Sequence, residues 1–117
     1  MKENDSLSEI FKMQEKLQAL HGHNFDKMTT KEKESHTKDT ILYLLEEAHE
    51  LLRETNFKTH KKKRKPIDID KIHGEIVDIG CFLFNLALLW KMSPEEFLKK
   101  FIKKNNINVS RIADKDY

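Results

Sequence analysis

Ile76 to Trp90 reads IVDIGCFLFNLALLW. Twelve of these fifteen residues are apolar, and on a helical wheel they fall on every side. A helix that is apolar all round must be buried all round. The pattern predicts a helix from near Asp68 or Asp70 to about Met92. The rest of the chain supplies too few and too short helices to surround it. The expectation is therefore a bundle completed by a second subunit, either a homodimer or a dimer of dimers.

Working outward from this helix, residues 58–66 are basic and unsuited to burial, so they read as a connecting loop. Pro66 should end any helix before it. Upstream, Ile41, Leu44, Leu45, Ala48, Leu51 and Leu52 form one stripe. They predict a helix that begins between Thr30 and Thr37 and runs to about Thr55. Leu7, Ile10, Phe11 and Leu17 share a face with Gln14, which predicts a first helix from about Ser6 to Leu20, ended by Gly22. Downstream, Ser93-Pro94-Glu95-Glu96 is a capping box with Pro at the first helical position. That fourth helix is expected to stop near Lys103 or Lys104. The remainder, residues 105–117, is polar and reads as an extended tail. No strand pattern and no internal repeat occur. The reading is one all-α domain over residues 1–117, a four-to-five-helix bundle.

Composition narrows the class. Of 117 residues, 38% are hydrophobic and 36% charged, which is polar for a globular chain but still allows a core. The 22 basic and 20 acidic residues leave a net charge of +2, so overall charge implies no polyanion partner. Three Gly and two Pro argue against a turn-rich β-sandwich. A single cysteine, Cys81, cannot form an intrachain disulfide and fits a reducing compartment. The N-terminal segment lacks the apolar core of a secretory signal. The longest nearly apolar run, Ile79 to Trp90, falls short of the roughly 20 residues a span needs. A cytoplasmic protein with no membrane partner is expected.

Two acidic pairs carry the chemistry. Glu47/Glu50 and Glu75/Asp78 are the only acids spaced three apart, and one pair sits in each of the two most apolar helices. Glu47 and Glu50 lie about 60° apart beside the second helix's stripe. Glu75, Asp78, Phe82 and Asn85 share an arc of roughly 80° on the third. A buried carboxylate is costly unless paired or bound to a metal. Antiparallel packing would let the pairs face each other, and four converging carboxylates repel without cations. Mg²⁺ first, and Mn²⁺ as a substitute, suits such an oxygen site. The plainer reading of Glu47/Glu50 is a solvated helix flank paired with nearby bases. That reading is weaker for Glu75/Asp78, whose surroundings are so apolar.

LLEEAHELLRE at residues 44–54, followed by EIVD at 75–78, resembles the ExxE…ExxD signature of the all-α nucleoside triphosphate pyrophosphatases, the MazG-like enzymes and dimeric dUTPases. Lys104-Asn105-Asn106-Ile107-Asn108-Val109-Ser110-Arg111, with Tyr117, is similar to the KNxxNxxR…Y tail of the dimeric dUTPases. Met13-Gln14-Glu15-Lys16-Leu17 resembles their MQxxL segment, and Phe57-Lys58 the Phe-Lys segment after their first acidic motif. The resemblance implies a MazG/dimeric-dUTPase bundle that cleaves a nucleoside triphosphate between its α and β phosphates with Mg²⁺, dUTP being the first substrate to try. It implies Glu47, Glu50, Glu75 and Asp78 as metal ligands and Glu47 as general base. Lys104 and Arg111 would hold phosphate oxygens. Gln14 and Asn85 could read a base edge, and Phe82 or Phe57 could stack on it. Lys58, Asn108 and Tyr117 complete the expected substrate contacts. The chain departs from the dUTPase pattern at Gln18, Arg53, His60 and Cys81, where that family usually carries Asp, Asn, Trp and His. The phosphate chemistry tolerates these changes better than the choice of base does.

Other features have plain readings. The run His60 to Lys65 could bind nucleic acid or serve as an import signal, but no interleaved aromatics accompany it, so a solvated loop that steers anions is preferred. His49-Glu50 is no zinc-protease motif, because Arg53 stands where the second His is needed. His21 and His23 read as surface residues and Cys81 as a small buried hydrophobe. The rivals to a hydrolase are a non-catalytic helical interaction module and a small basic nucleic-acid adaptor.

Overall fold

Local signals set the helix boundaries of the computed structural model, which describes residues 5–114. Asp5 caps α1 (Ser6–Leu20), its carboxylate accepting from Leu7 N and Ser8 N. The helix ends at Gly22, whose φ of 84° lets His23 N turn back to Gln18 O at 3.0 Å. One turn of 3-10 helix, Phe25–Lys27, leads to α2 (Thr30–Arg53). There Thr29 and Glu32 form a second capping box that sequence reading had not singled out. Asp68 caps α3 (Ile69–Leu89), and the Ser93–Glu96 box with Pro94 opens α4 (Pro94–Ala113) as expected. No strand occurs among the described residues.

Two expectations fail at helix ends. α3 stops at Leu89, three residues early, because Lys91 takes a left-handed φ of 60° and Met92 N closes on Ala87 O at 2.8 Å. The extended tail is helical instead: α4 continues through Ala113. Neither Gly nor Pro interrupts residues 105–113, and Leu98, Phe101, Val109 and Ile112 share one face, broken only by Asn105. Polarity concealed that spacing. Tyr117 lies outside the described residues.

The closed core is small. Phe11 from α1, Phe84 from α3 and Phe97 from α4 meet in a ring triangle with centroids 5.4–6.0 Å apart. Phe11, Ala87 and Leu89 are the only buried hydrophobic residues among those described, and Leu89 alone is fully buried. Gln14, also buried, donates from Nε2 to Asn85 Oδ1 at 2.7 Å and to Cys81 O at 3.4 Å, tying α1 to α3. α2 packs along α3 as its main neighbour. The pairing is antiparallel: Trp90 Nε1 donates to Thr37 Oγ1 at 2.9 Å, Tyr43 stacks on Phe82, and Glu47 meets Glu75 and Asp78. As one residue number climbs, its partner's falls.

Outside this core the chain leaves wide apolar faces open. Leu42, Leu45, Ile76, Val77, Leu83, Leu98, Phe101 and Ile102 are each at least half exposed. The surface totals 9550 Å², against roughly 6,700 Å² for a closed monomer of this mass. The radius of gyration is 18.0 Å, against about 13 Å for a compact domain of this length. α3 is therefore not buried all round within one chain, and Cys81 is only partly covered. At 21 residues, with an 18-residue window of mean hydropathy 1.6, α3 is long and apolar enough to cross a membrane. The 12-residue run understated it. Two carboxylates facing a third on α2 fit a bundle helix better than a lipid-facing one.

Candidate metal centre

Antiparallel pairing of α2 and α3 brings three of the four expected carboxylates together. One oxygen each from Glu47, Glu75 and Asp78 lies within 4.8 Å of the other two. Glu47 and Glu75 are half-buried and Asp78 is exposed. Glu50 is exposed and stands outside this trio, close enough only to add its charge to Glu47. Glu75 Oε1 is buried with no hydrogen-bond partner. An ionised oxygen in that position costs free energy until a proton or a cation reaches it.

The strain appears at Glu47. Its pKa is pushed up to about 7, first by sharing a proton with Glu75. Burial and the charges of Glu75, Asp78 and Glu50 add to the shift. Cys81, one turn beyond Asp78, is pushed up by burial and then by the charge of Asp78. Three oxygen donors and one orphaned buried oxygen fit a small, hard divalent cation. Histidines at 21 and 23 do not join any such cluster among the described residues. Their rings lie with His36 and Phe25 where α1 turns into α2.

The expected substrate contacts divide into three groups. Asn85 and Phe82 lie on α3 beyond Asp78, on the trio's side of the helix. Gln14 reaches that region too, but its amide is engaged by Asn85 and Cys81. Held through Oδ1, Asn85 keeps its Nδ2 donor for a third partner. Tyr43, which sequence reading missed, stacks on Phe82 at 6.2 Å and 19°. The signal was present: Tyr43 precedes Glu47 by four residues, and Phe82 follows Asp78 by four. Phe57 and Lys58 sit past the end of α2, in the wall of a basic cavity, with Lys58 Nζ 5.7 Å from the Phe57 ring centroid. Lys104, Asn108 and Arg111 form one face of α4 within about 60°. That helix packs chiefly on α1, so one chain does not bring the three to the trio.

The sequence that builds this arrangement matches a protein-family model. Residues 6–109 fit the family model described as dUTPase. The chain belongs to the dUTPase family. The match covers the trio, Glu50, the Gln14–Asn85 tie and all of α2 and α3. No curated protein and no solved structure gives a match.

Proposed function

We propose that this dUTPase-family chain is a Mg²⁺-dependent nucleoside triphosphate pyrophosphohydrolase, with dUTP as the best candidate substrate. The products would be a nucleoside monophosphate and pyrophosphate. The observation that carries the proposal is the trio Glu47, Glu75 and Asp78, with its buried, unpartnered Glu75 oxygen. These three residues would hold the cation, with Glu50 at the edge; Mn²⁺ is the natural substitute. When bound, the ion neutralises triphosphate charge and polarises phosphorus. Glu47 is the candidate general base, the acid of the trio whose proton affinity is raised by its neighbours in the metal-free protein. Water adds at phosphorus as the bridging α–β bond breaks, and the bridging electron pair leaves with pyrophosphate.

Asn85 offers its amide donor to a base carbonyl, and the Tyr43–Phe82 stack forms an apolar wall beside it. The face of Lys104, Asn108 and Arg111 suits phosphate oxygens. The open apolar faces and excess surface support a homodimer, which would cover α3 and could bring α4 faces of two copies near their sites. The cytoplasm is the compartment this reading fits. The test is pyrophosphate release from the canonical nucleotides, dUTP included, with and without Mg²⁺. Metal-dependent release led by dUTP is expected; a different leading base would move the assignment to another nucleotide. No release from any of them, with no nucleotide-dependent thermal shift, would leave a helical interaction module.

A further inference from the structure

The segment joining α2 to α3 carries cations at six of the eight positions 58–65. Repulsion would spread such a run apart in a free chain. Here it is pinned. Asn56 Nδ2 donates to Lys65 O at 3.0 Å, and Lys65 N donates to Asn56 Oδ1 at 2.9 Å. Lys65 Nζ donates to Arg53 O, and Lys61 N closes a turn on Lys58 O at 3.1 Å. The tied loop surrounds a cavity of about 560 Å³. Arg53, Lys58, Lys61, Lys63, Arg64 and Lys65 line it, and no carboxylate does. A preformed pocket that holds six like charges favours a multivalent anion.

The shape limits which anion. The volume equals a sphere of about 5 Å radius, small enough for one compact anion to lie near several of these cations at once. A nucleic-acid strand needs a track of spaced charges with bases stacked along it. This cavity is a bowl bordered by the Asn56–Lys65 tie, open on one side, and its only exposed rings are His49 and Phe57, too few to stack a run of bases. Orthophosphate would engage fewer of the cations. The pocket lies at the C-terminal end of α2, where Arg53 follows Glu47 by about 9 Å along the helix axis.

The geometry points to a receptor for condensed phosphate, filled by free pyrophosphate or by the terminal phosphates of a triphosphate. This rests on the hydrolase reading for the source of the ligand, but not for the pocket. Titration calorimetry on the full chain in EDTA tests it, with pyrophosphate, dUTP, orthophosphate and oligo-dT as probes. One-to-one pyrophosphate binding is expected, weakened at least tenfold in the triple variant Lys61→Glu, Lys63→Glu, Arg64→Glu. Those side chains are exposed, so the fold should stand, and circular dichroism checks it. Asn56→Ala, which frees the loop without altering charge, should also weaken binding severalfold. Glu47→Gln should bind pyrophosphate as the parent does. Pyrophosphate binding at least as tight as dUTP identifies the released product as occupant; tighter dUTP identifies a substrate tail, and either supports the pocket. Unchanged affinity in the triple variant, orthophosphate equal to pyrophosphate, or oligo-dT tenfold tighter would each overturn it. Loop-dependent binding by a protein that hydrolyses nothing would keep this inference and remove the hydrolase.

Discussion

Mg²⁺ affinity should fall with acidification along a curve set by Glu47. Its carboxyl is raised from an ordinary 4.5 to about 7 because it shares a proton with Glu75 in the metal-free protein. A divalent ion can bind the trio only after that proton leaves. The sign follows: below pH 7 protons compete, and above about pH 8 they do not. With a single competing proton, the apparent dissociation constant doubles at about pH 7, rises about tenfold at pH 6 and about a hundredfold at pH 5. Each tenfold step corresponds to about 1.4 kcal/mol. Binding should release roughly 0.1 proton at pH 8, 0.5 at pH 7 and 0.9 at pH 6. Titration calorimetry in two buffers of different ionisation enthalpy counts those protons directly. The same shift acts on stability. The folded metal-free chain holds the Glu47 proton more tightly than the unfolded chain does. Metal-free stability therefore declines as pH rises from about 4.5 to 7. Mg²⁺ should accordingly raise Tm more at pH 8 than at pH 5.5. A flat affinity between pH 8 and pH 6, with no proton released, would refute the shared-proton account of the trio.

Other outcomes follow from the same contacts. Glu75→Gln should raise the metal-free Tm at pH 8 by removing an unpartnered buried charge, and should abolish the thermal response to Mg²⁺; an unchanged metal response would exclude Glu75 as a ligand. Glu47→Gln or Asp78→Asn should remove turnover with the helical spectrum intact, and full activity in both would dismiss the trio as the reaction centre. Arg111→Ala should raise KM severalfold with kcat nearly kept; identical kinetics would take it out of the phosphate contacts. Lys91→Gly should stabilise the α3 end by roughly 0.5–1 kcal/mol, because Lys91 sits at a φ that glycine adopts freely; a lower Tm would show that its 3.8 Å pairing with Asp26 outweighs the strain.

Helix content, the four helix starts (that of α2 only within a range) and the acidic residues were legible in the sequence, because each is a local property. Capping boxes, Gly22 and apolar spacing act within a few residues and leave marks at fixed offsets. The ExxE and ExxD spacings likewise follow from one helical turn. Residues 105–113 look like a tail by polarity, yet they contain no helix breaker and continue α4. Other features depended on how α2 and α3 slide past each other. That register admits Glu75 and Asp78 to Glu47 while leaving Glu50 outside, and it lays Tyr43 on Phe82. It is set by distant contacts, Trp90 to Thr37 and Phe82 to Tyr43, which no local pattern encodes. The basic loop shows the same division. Sequence alone showed a run of positive charge, whereas the Asn56–Lys65 tie across nine residues makes that run a pocket. Which side chains can form a helix or carry charge is written in order along the chain. Which of them share a proton, a ring face or an anion is decided by packing, because the energies involved fall away within a few ångströms.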